Sequence, residues 1–402
     1  MNRNVWLLFC CQALMNATVV GQVTMSALVG YSLAPNKALS TLPYAIQMLG
    51  VMAASIPAGL VFARLGRKPG FMLGVAGAIL GSLLFALAIW ETSFWLYCLA
   101  AVPAGLGFGI AQHYRFAAAE VADPAARPRA IALVMTGGLL AGVLGPELVK
   151  RSKDLLPPLL FLGTYLMLVG PSIVCAVLLA FTRLPPAPPR TRSSVPIRAI
   201  LARPTFVTAV IAALAGYGSM SLIMTSTPVQ MMLCGFPVND SIDVIRAHSI
   251  AMYAPGFVTG RLIQRFGMHR IICIGGALAI LCAGLSWTGS SYLTFLTALV
   301  LLGFGWNFMF VGATTLLTTA HDMQERVRVQ ATNDFIVFGT VAFSALASGV
   351  VESQAGWLTL NMAILPPIMV AIGLVLWHRQ EARPGLRPGP AGVSGPQSPL
   401  LK

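Results

Sequence analysis

The sequence predicts an all-α membrane protein of twelve transmembrane helices, arranged as two six-helix bundles with both termini in the cytoplasm. Three observations lead to this prediction. Of the 402 residues, 57% are hydrophobic and only 9% are charged, whereas about 25% are charged in soluble domains. Apolar stretches of roughly 20 residues, each long enough to cross a bilayer as a helix, recur along the chain. The basic residues gather on one side of these stretches.

The apolar stretches predict the positions of the spans. We expect the first span to be retained, because its apolar run is longer than the core of a signal peptide. The twelve predicted spans are residues 5–32, 41–62, 70–90, 93–116, 130–149, 158–182, 205–234, 241–263, 271–288, 292–318, 331–351 and 356–377.

The basic residues predict the orientation. With the N-terminus inside, all but five of the 26 Lys and Arg residues fall on the cytoplasmic side, which is the asymmetry of the positive-inside rule. The formal charge of +14 therefore reflects topology and contact with membrane lipid, and it does not indicate a nucleic-acid partner. The five exceptions are Lys37, Lys150, Arg151, Lys153 and Arg246.

Two polar segments divide the chain. Residues 183–203 are rich in Pro and Arg and separate the predicted bundles, residues 1–182 and 204–377. Residues 378–402 are rich in Pro, Gly and Ser, so we predict a disordered cytoplasmic tail.

Two motifs occur in both halves, as expected of an internal duplication. GLVFARLGRK begins at Gly59 and GRLIQRFGMH at Gly260, and in each a Gly is followed five residues later by Arg and then by a second Gly. GLGFG from Gly105 corresponds in the same way to LGFGW from Leu302. Duplication at half the chain length is typical of transporters in which two bundles rock about a central site.

Four ligand-type side chains are predicted to lie at matching depth in spans 7 and 8. Met220 and Met224 are one helical turn apart, as are His248 and Met252, so each pair shares a helix face. Thioethers with an imidazole form a soft ligand set that favours copper, above all Cu(I). The same residues also suit ordinary packing, or a proton relay at the His. Pro255 follows closely and is expected to bend span 8.

The loop after span 2 resembles the motif G-x-x-x-D-R-x-G-R-R/K of the major facilitator superfamily. The resemblance implies the major facilitator fold and a gating loop after span 2. Where the family has a carboxylate that latches the loop, this sequence has Ala63, so we expect a weaker or differently built latch. The basic side chains also suit simple anchoring to lipid headgroups. The predicted gating residues are Gly59, Arg64, Gly66, Arg67 and Lys68.

The Met and His pairs are similar to a motif of the CcoA-like transporters, a major facilitator branch of bacterial copper importers. The resemblance implies that Met220, Met224, His248 and Met252 bind copper during import across the bacterial inner membrane, and that the copper supplies assembly of cbb3-type cytochrome c oxidase. Some members depend on intramembrane thiols, which makes Cys234 a candidate relay residue. Relatives of this branch include riboflavin transporters, so the substrate stays open.

Two alternative functions are compatible with the same sequence. The first is transport of an organic solute such as riboflavin or a drug-like cation, supported by aromatic residues in candidate cavity positions. The second is a copper-binding membrane sensor or assembly factor that does not transport. The aromatic residues are Tyr31, Tyr114, Tyr217, Tyr253 and Trp306.

The remaining expectations concern partners and coupling. We expect no enzymatic activity, no prosthetic cofactor and no nucleotide, since the sequence has no Walker A motif. Copper is expected as transported substrate only, and its cytoplasmic or membrane acceptor is not identified by the sequence. A monomer is expected. Candidate proton-coupling residues are His113 and Glu147.

Overall fold

The structure, a computed structural model, describes residues 2–55, 57–123, 126–185, 197–321 and 325–381. Most of the predicted linker and nearly all of the predicted tail lie outside these ranges. The described residues form a short 3-10 helix, Lys37–Leu39, and α-helices, with bounds α1 Arg3–Leu33, α2 Leu42–Ser55, α3 Pro57–Leu65, α4 Arg67–Trp90, α5 Phe94–Ala111, α6 Tyr114–Val121, α7 Arg127–Ser152, α8 Leu162–Met167, α9 Val169–Ala180, α10 Ile197–Leu201, α11 Pro204–Leu233, α12 Val238–Tyr253, α13 Gly256–Phe266, α14 Met268–Leu285, α15 Tyr292–Thr318, α16 Arg326–Met362 and α17 Leu365–Glu381.

The all-α prediction is confirmed for these ranges. Ten helical segments, some of which join two consecutive helices, are long and apolar enough to cross a membrane. One of the ten, 328–380, covers predicted spans 11 and 12, which are separated at Gly356 where φ is +80°. Predicted span 8 is built from α12 and α13, each shorter than a membrane thickness, with the break at Pro255. The count of twelve spans and the cytoplasmic placement of the termini stay predictions.

The duplication seen in the sequence is also present in the backbone. Gly66 ends α3 with φ +88°, and Gly267, 201 residues later, ends α13 with φ +84°. These values lie in the region where glycine is the favoured residue, which explains the second Gly of each motif copy. We call the end of the bundle that carries these two glycines the basic end, and the other end the opposite end.

The second repeated motif is a line of close helix contacts. A Cβ at Gly105 would overlap the carbonyl oxygen of Gln47 on α2, and a Cβ at Gly303 would lie 2.8 Å from the carbonyl oxygen of His248 on α12. Gln47 and His248 are themselves 201 residues apart. In a membrane, small residues allow the close backbone approach that drives helix packing. The two contacts therefore fix α5 on α2 and α15 on α12 in the same way.

A second pair of contacts corrects the sequence alignment of this motif. Gly107 and Gly305 approach the carbonyl oxygens of Gly74 and Gly275, which are again 201 residues apart. Gly105 and Gly107 therefore correspond to Gly303 and Gly305, one residue away from the alignment of GLGFG with LGFGW. Aligning the two strings from their first letters pairs Gly105 with Leu302, whereas the packing requires the two Gly-x-Gly spacings to coincide.

The two halves of the chain meet through charged side chains at the opposite end. Lys150 Nζ on α7 lies 2.8 Å from Asp243 Oδ2 on α12, and Arg246 Nη1 lies 3.2 Å from Glu147 Oε2. Arg246 also contacts Asp243, so the four charges form one network. Nearby, the backbone N–H of Gly349 on α16 donates to Oγ1 of Thr41, which lies just before α2. The N···O distance is 3.2 Å.

We predict that Gly105→Ala destabilises the protein, because the added methyl would meet backbone and not a movable side chain. Overpacking of this kind costs about 1–3 kcal/mol. The melting temperature of the purified protein in detergent should fall by several degrees. Gly170→Ala is the matched control, because nothing lies within 4 Å of a Cβ at that helical position. Equal melting temperatures for the two variants would contradict the packing role of Gly105.

We also predict that Lys150→Glu loosens the opposite end, since it places like charges between α7 and α12. The reporter is a disulfide between cysteines introduced at Thr41 and Gly349, formed by mild oxidation in membranes. Cross-linking should slow by roughly two- to fivefold, in line with a partly exposed ion pair. The double reversal Lys150→Glu with Asp243→Lys should restore it.

The control for this experiment is Arg151→Gln. Arg151 is well exposed and pairs with Glu147 on its own helix. Its substitution should leave cross-linking between residues 41 and 349 unchanged. If Lys150→Glu has no larger effect than this control, the ion pairs do not hold the opposite end together.

Candidate functional site

The four ligand-type side chains are buried in the C-terminal half. Met220, Met224 and Met252 belong to one apolar cluster formed by α11, α12, α14, α15, α16 and α17, and each is at most 7% exposed. His248 is fully buried on α12, one turn before Met252. The described residues contain no group of three His, Cys, Asp or Glu side chains that could hold a metal ion. A copper site here would therefore depend on the thioethers.

The imidazole of His248 is oriented by one hydrogen bond. Its Nδ1 lies 2.7 Å from the carbonyl oxygen of Leu299 on α15. Because a carbonyl only accepts, Nδ1 carries the proton and Nε2 keeps its lone pair. Nε2 is buried and has no hydrogen-bond partner among the residues that the structure describes. Metal-binding histidines commonly have this arrangement, with one ring N–H bonded to a carbonyl and the other nitrogen free for the ion.

The break after Met252 adds Asn307, a residue that the sequence analysis missed. At the α12–α13 break, Asn307 Nδ2 on α15 donates to the carbonyl oxygen of Met252, at 2.7 Å. Thr259 Oγ1 on α13 donates to Asn307 Oδ1, also at 2.7 Å. Backbone left unpaired by a helix break must find a partner inside a membrane protein. Two features could have indicated Asn307: the break predicted at Pro255 and an amide in an apolar span.

Five aromatic rings from four helices lie beside the Met and His residues. Trp306 and Phe310 on α15 stack with their centroids 5.2 Å apart and their planes 12° from parallel. Tyr217 on α11 contacts both rings edge-on, at 5.2 and 5.3 Å. Tyr253 and Phe338 complete the group, at 5.9 Å from Trp306 and 6.1 Å from Tyr217. We call these five residues the aromatic cluster.

The aromatic cluster lies where the two halves of the chain meet. A Cβ at Gly138 on α7 would lie 2.6 Å from the Tyr253 ring. Tyr217 and Val23 of α1 pack against the same two apolar clusters. The indole Nε1 of Trp306 is buried, and within the described part of the chain it has no hydrogen-bond partner. The region thus combines flat apolar surfaces with a buried N–H donor that no described residue accepts.

The other two aromatic candidates lie elsewhere. Tyr114 is fully buried within the N-terminal half, where its ring packs 4.6 Å from that of Phe71. Tyr31 lies near the opposite end, beneath the ammonium of Lys37 at 4.9 Å. Neither residue contacts the aromatic cluster.

One ion pair joins the halves below the aromatic cluster, toward the basic end. Arg115 Nη2 on α6 lies 3.3 Å from Asp334 Oδ2 on α16. Asp334 is one helical turn before Phe338, so it shares that face of α16.

The predicted gating loop lies between α3 and α4. Arg67 is buried and forms an ion pair with Glu120 at the end of α6, and Lys68 donates to the carbonyl oxygen of Ala180 on α9. Arg64 is exposed, and Gly66 makes the turn. Gly59 lies within α3. The basic residues of the loop therefore tie α4 to α6 and α9, and a role in gating stays a prediction.

The remaining candidate residues are not brought together. Cys234 is exposed after the end of α11 and accepts a hydrogen bond from Gln230 Nε2, at 3.4 Å. It is ten residues from Met224, or about 15 Å along a helix. His113 lies at the α5–α6 break with Nδ1 3.3 Å from the carbonyl oxygen of Gly109. Glu147 lies at the opposite end, paired with Arg151 and Arg246.

Comparisons with known proteins agree with this architecture. The chain is 34% identical over 379 residues to the riboflavin transporter RfnT of Brucella anthropi, covering 93% of this chain and 95% of the relative. It is 27% identical to the uncharacterized MFS-type transporter YdeG of Bacillus subtilis, covering 94% and 92%. The outward-conformation crystal structure of the transporter FucP matches with a TM-score of 0.62 at 16% identity, covering 92% of this chain and 98% of that one.

A family model covers most of the described helices. The model of the Major Facilitator Superfamily matches residues 5–337, which include the repeated motifs of both halves. The described helices, the FucP fold and the curated relatives all agree with that match. The chain is therefore a transporter with several membrane-spanning helices, and it belongs to the Major Facilitator Superfamily.

Proposed function

We propose that this protein is a secondary transporter for an organic solute of the riboflavin class, acting in a bacterial inner membrane. The aromatic cluster carries this proposal. Its rings present flat surfaces at the junction of the two halves, where the bound solute would be exposed to alternate sides as the halves move. A fused aromatic heterocycle can stack on such rings, and stacking of bases on aromatic side chains contributes about 1–3 kcal/mol. The similarity to a riboflavin transporter supports the same substrate class.

The ion pairs at the two ends suggest how the site changes sides. The network between α7 and α12 holds the opposite end together, while Arg115 and Asp334 connect the halves on the other side of the aromatic cluster. Breaking one set while the other forms would open the site to one side at a time. Such a two-state exchange needs no covalent chemistry, which agrees with a transporter and not an enzyme.

Copper import is a second candidate, favoured by one specific observation. The unpartnered Nε2 of His248 lies in the helix region that also contains Met252, and Met220 and Met224 belong to the same apolar cluster. Neutral thioether and imidazole ligands bind Cu(I) without losing a proton. On this proposal the protein would supply copper for cbb3-type cytochrome c oxidase. The comparisons favour the organic solute over copper, since a curated relative that is 34% identical is a riboflavin transporter.

We predict that cells lacking both riboflavin synthesis and riboflavin import take up radiolabelled riboflavin when they express this protein. Trp306→Leu should raise the half-saturating concentration about tenfold, because it removes the stacked indole. The control is Trp287→Leu, at an exposed position after α14. Both variants must reach the membrane in equal amounts. If expressing cells take up no more riboflavin than empty cells, riboflavin is not the substrate.

The copper candidate predicts accumulation of radioactive copper in cells without their own importer. Met224→Leu and His248→Ala should each lower it to the level of empty cells. Met231→Leu is the matched control, a buried Met of the same helix and cluster, since Met→Leu keeps the volume and removes only the sulfur. Accumulation equal to that of empty cells in the wild type would rule out import. Accumulation unchanged by Met224→Leu and His248→Ala would rule out the site.

The same strains test the third possibility, a sensor or assembly factor that does not transport. Such a protein would retain copper in isolated membranes through Met224 and His248 without raising copper inside the cell. Separate measurement of membrane-bound and cytoplasmic copper distinguishes the two.

A further inference from the structure

The pseudo-symmetry of the chain identifies a polar counterpart to the aromatic cluster. The matching positions of the first two helices in each half differ by 201 residues, as Gly66 and Gly267 show by their shared backbone conformation. Helices α1 and α11 begin at the same offset, Arg3 and Pro204. Asn16 of α1 is therefore equivalent to Tyr217 of α11. A two-fold relation between the bundles places these two side chains on opposite sides of the same central region.

The faces of α1 agree with this placement. Asn16 and Val23 are seven residues apart, so they share one helix face, and Val23 packs against clusters of the C-terminal half. Thr18 faces Ser172 of α9, 3.5 Å away. Gln22 bonds to Gln47 of α2 and Ser82 of α4. The face that carries Asn16 is the one directed toward the C-terminal half.

Gln12 extends this polar patch by one turn. Gln12 Nε2 donates to Asn16 Oδ1, at 2.9 Å, and the two residues are 3% and 9% exposed. Among the described residues, neither side chain forms any other hydrogen bond. The polar atoms of the two side chains are also not among the fully buried atoms that lack a partner. The bond leaves Gln12 Oε1 as an acceptor and Asn16 Nδ2 as a donor, both with accessible surface.

This pair of groups has the hydrogen-bonding pattern of an amide edge. A ring N–H beside a ring carbonyl would donate to Gln12 Oε1 and accept from Asn16 Nδ2. We propose that Gln12 and Asn16 recognise the N–H and C=O edge of a flat heterocycle whose rings stack on the aromatic cluster. The inference rests on the proposed organic-solute function and adds to it the chemical group that the N-terminal half selects.

The test is binding of riboflavin and of its N3-methyl derivative to the purified full-length protein, followed by quenching of flavin fluorescence. Methylation removes the ring N–H and leaves the rings intact. Wild type should bind the methylated flavin roughly three- to tenfold more weakly than riboflavin, as expected for one lost hydrogen bond. Gln12→Ala should weaken riboflavin binding by a similar factor and leave binding of the methylated flavin unchanged.

Two further variants separate recognition from folding. Thr18→Val changes the face of α1 that contacts α9. This variant should bind both flavins as wild type does. Trp306→Leu should weaken both flavins equally, since both retain the rings. Equal weakening of both flavins by Gln12→Ala, or none, would overturn the proposed recognition alone. Absence of flavin binding by wild type would overturn the recognition together with the proposed substrate class.

Discussion

The structure depends on the close approach of helix backbones at four glycines. Gly105 and Gly107 bring α5 against α2 and α4, and Gly303 and Gly305 bring α15 against α12 and α14. In a lipid environment, apolar side chains gain little by leaving the bilayer, so such dense contacts supply much of the packing energy. Because α15 meets α12 at the carbonyl of His248, the packing also sets the position of the site.

The break in span 8 is possible because the surrounding helices satisfy its polar groups. Asn307 binds the Met252 carbonyl and accepts from Thr259, while the Leu299 carbonyl fixes the ring of His248. All three contacts involve α15, which also carries Trp306 and Phe310. One helix therefore contacts the His248 ring and the Met252 backbone and also carries two rings of the aromatic cluster. The two candidate substrates differ in which of these groups they would contact, and not in the architecture that holds them.

The fold was largely predictable from the sequence, whereas the substrate was not. Long apolar stretches allow few structures in a membrane, so the all-α architecture and the internal duplication could be inferred. The spacing of the Met and His residues favoured copper, because a prediction from spacing takes no account of the side chains that surround them. The sequence could not show that Trp306, Phe310 and Tyr217 converge, because they lie on two helices nearly ninety residues apart. Asn307 was missed for the same reason, since its role depends on a backbone carbonyl of another helix.

The sequence by itself determined the class of the protein, the repeat and the break at Pro255, because hydropathy, glycine and proline act through the local backbone. It also placed His248 and Met252 on one face, which follows from helix geometry. Only the tertiary structure decided that Nε2 is the free nitrogen of His248, that Glu147 pairs with Arg246, and that Gly105 corresponds to Gly303. Each of these depends on a contact between helices distant in the chain, and such contacts are fixed by packing and not by local sequence.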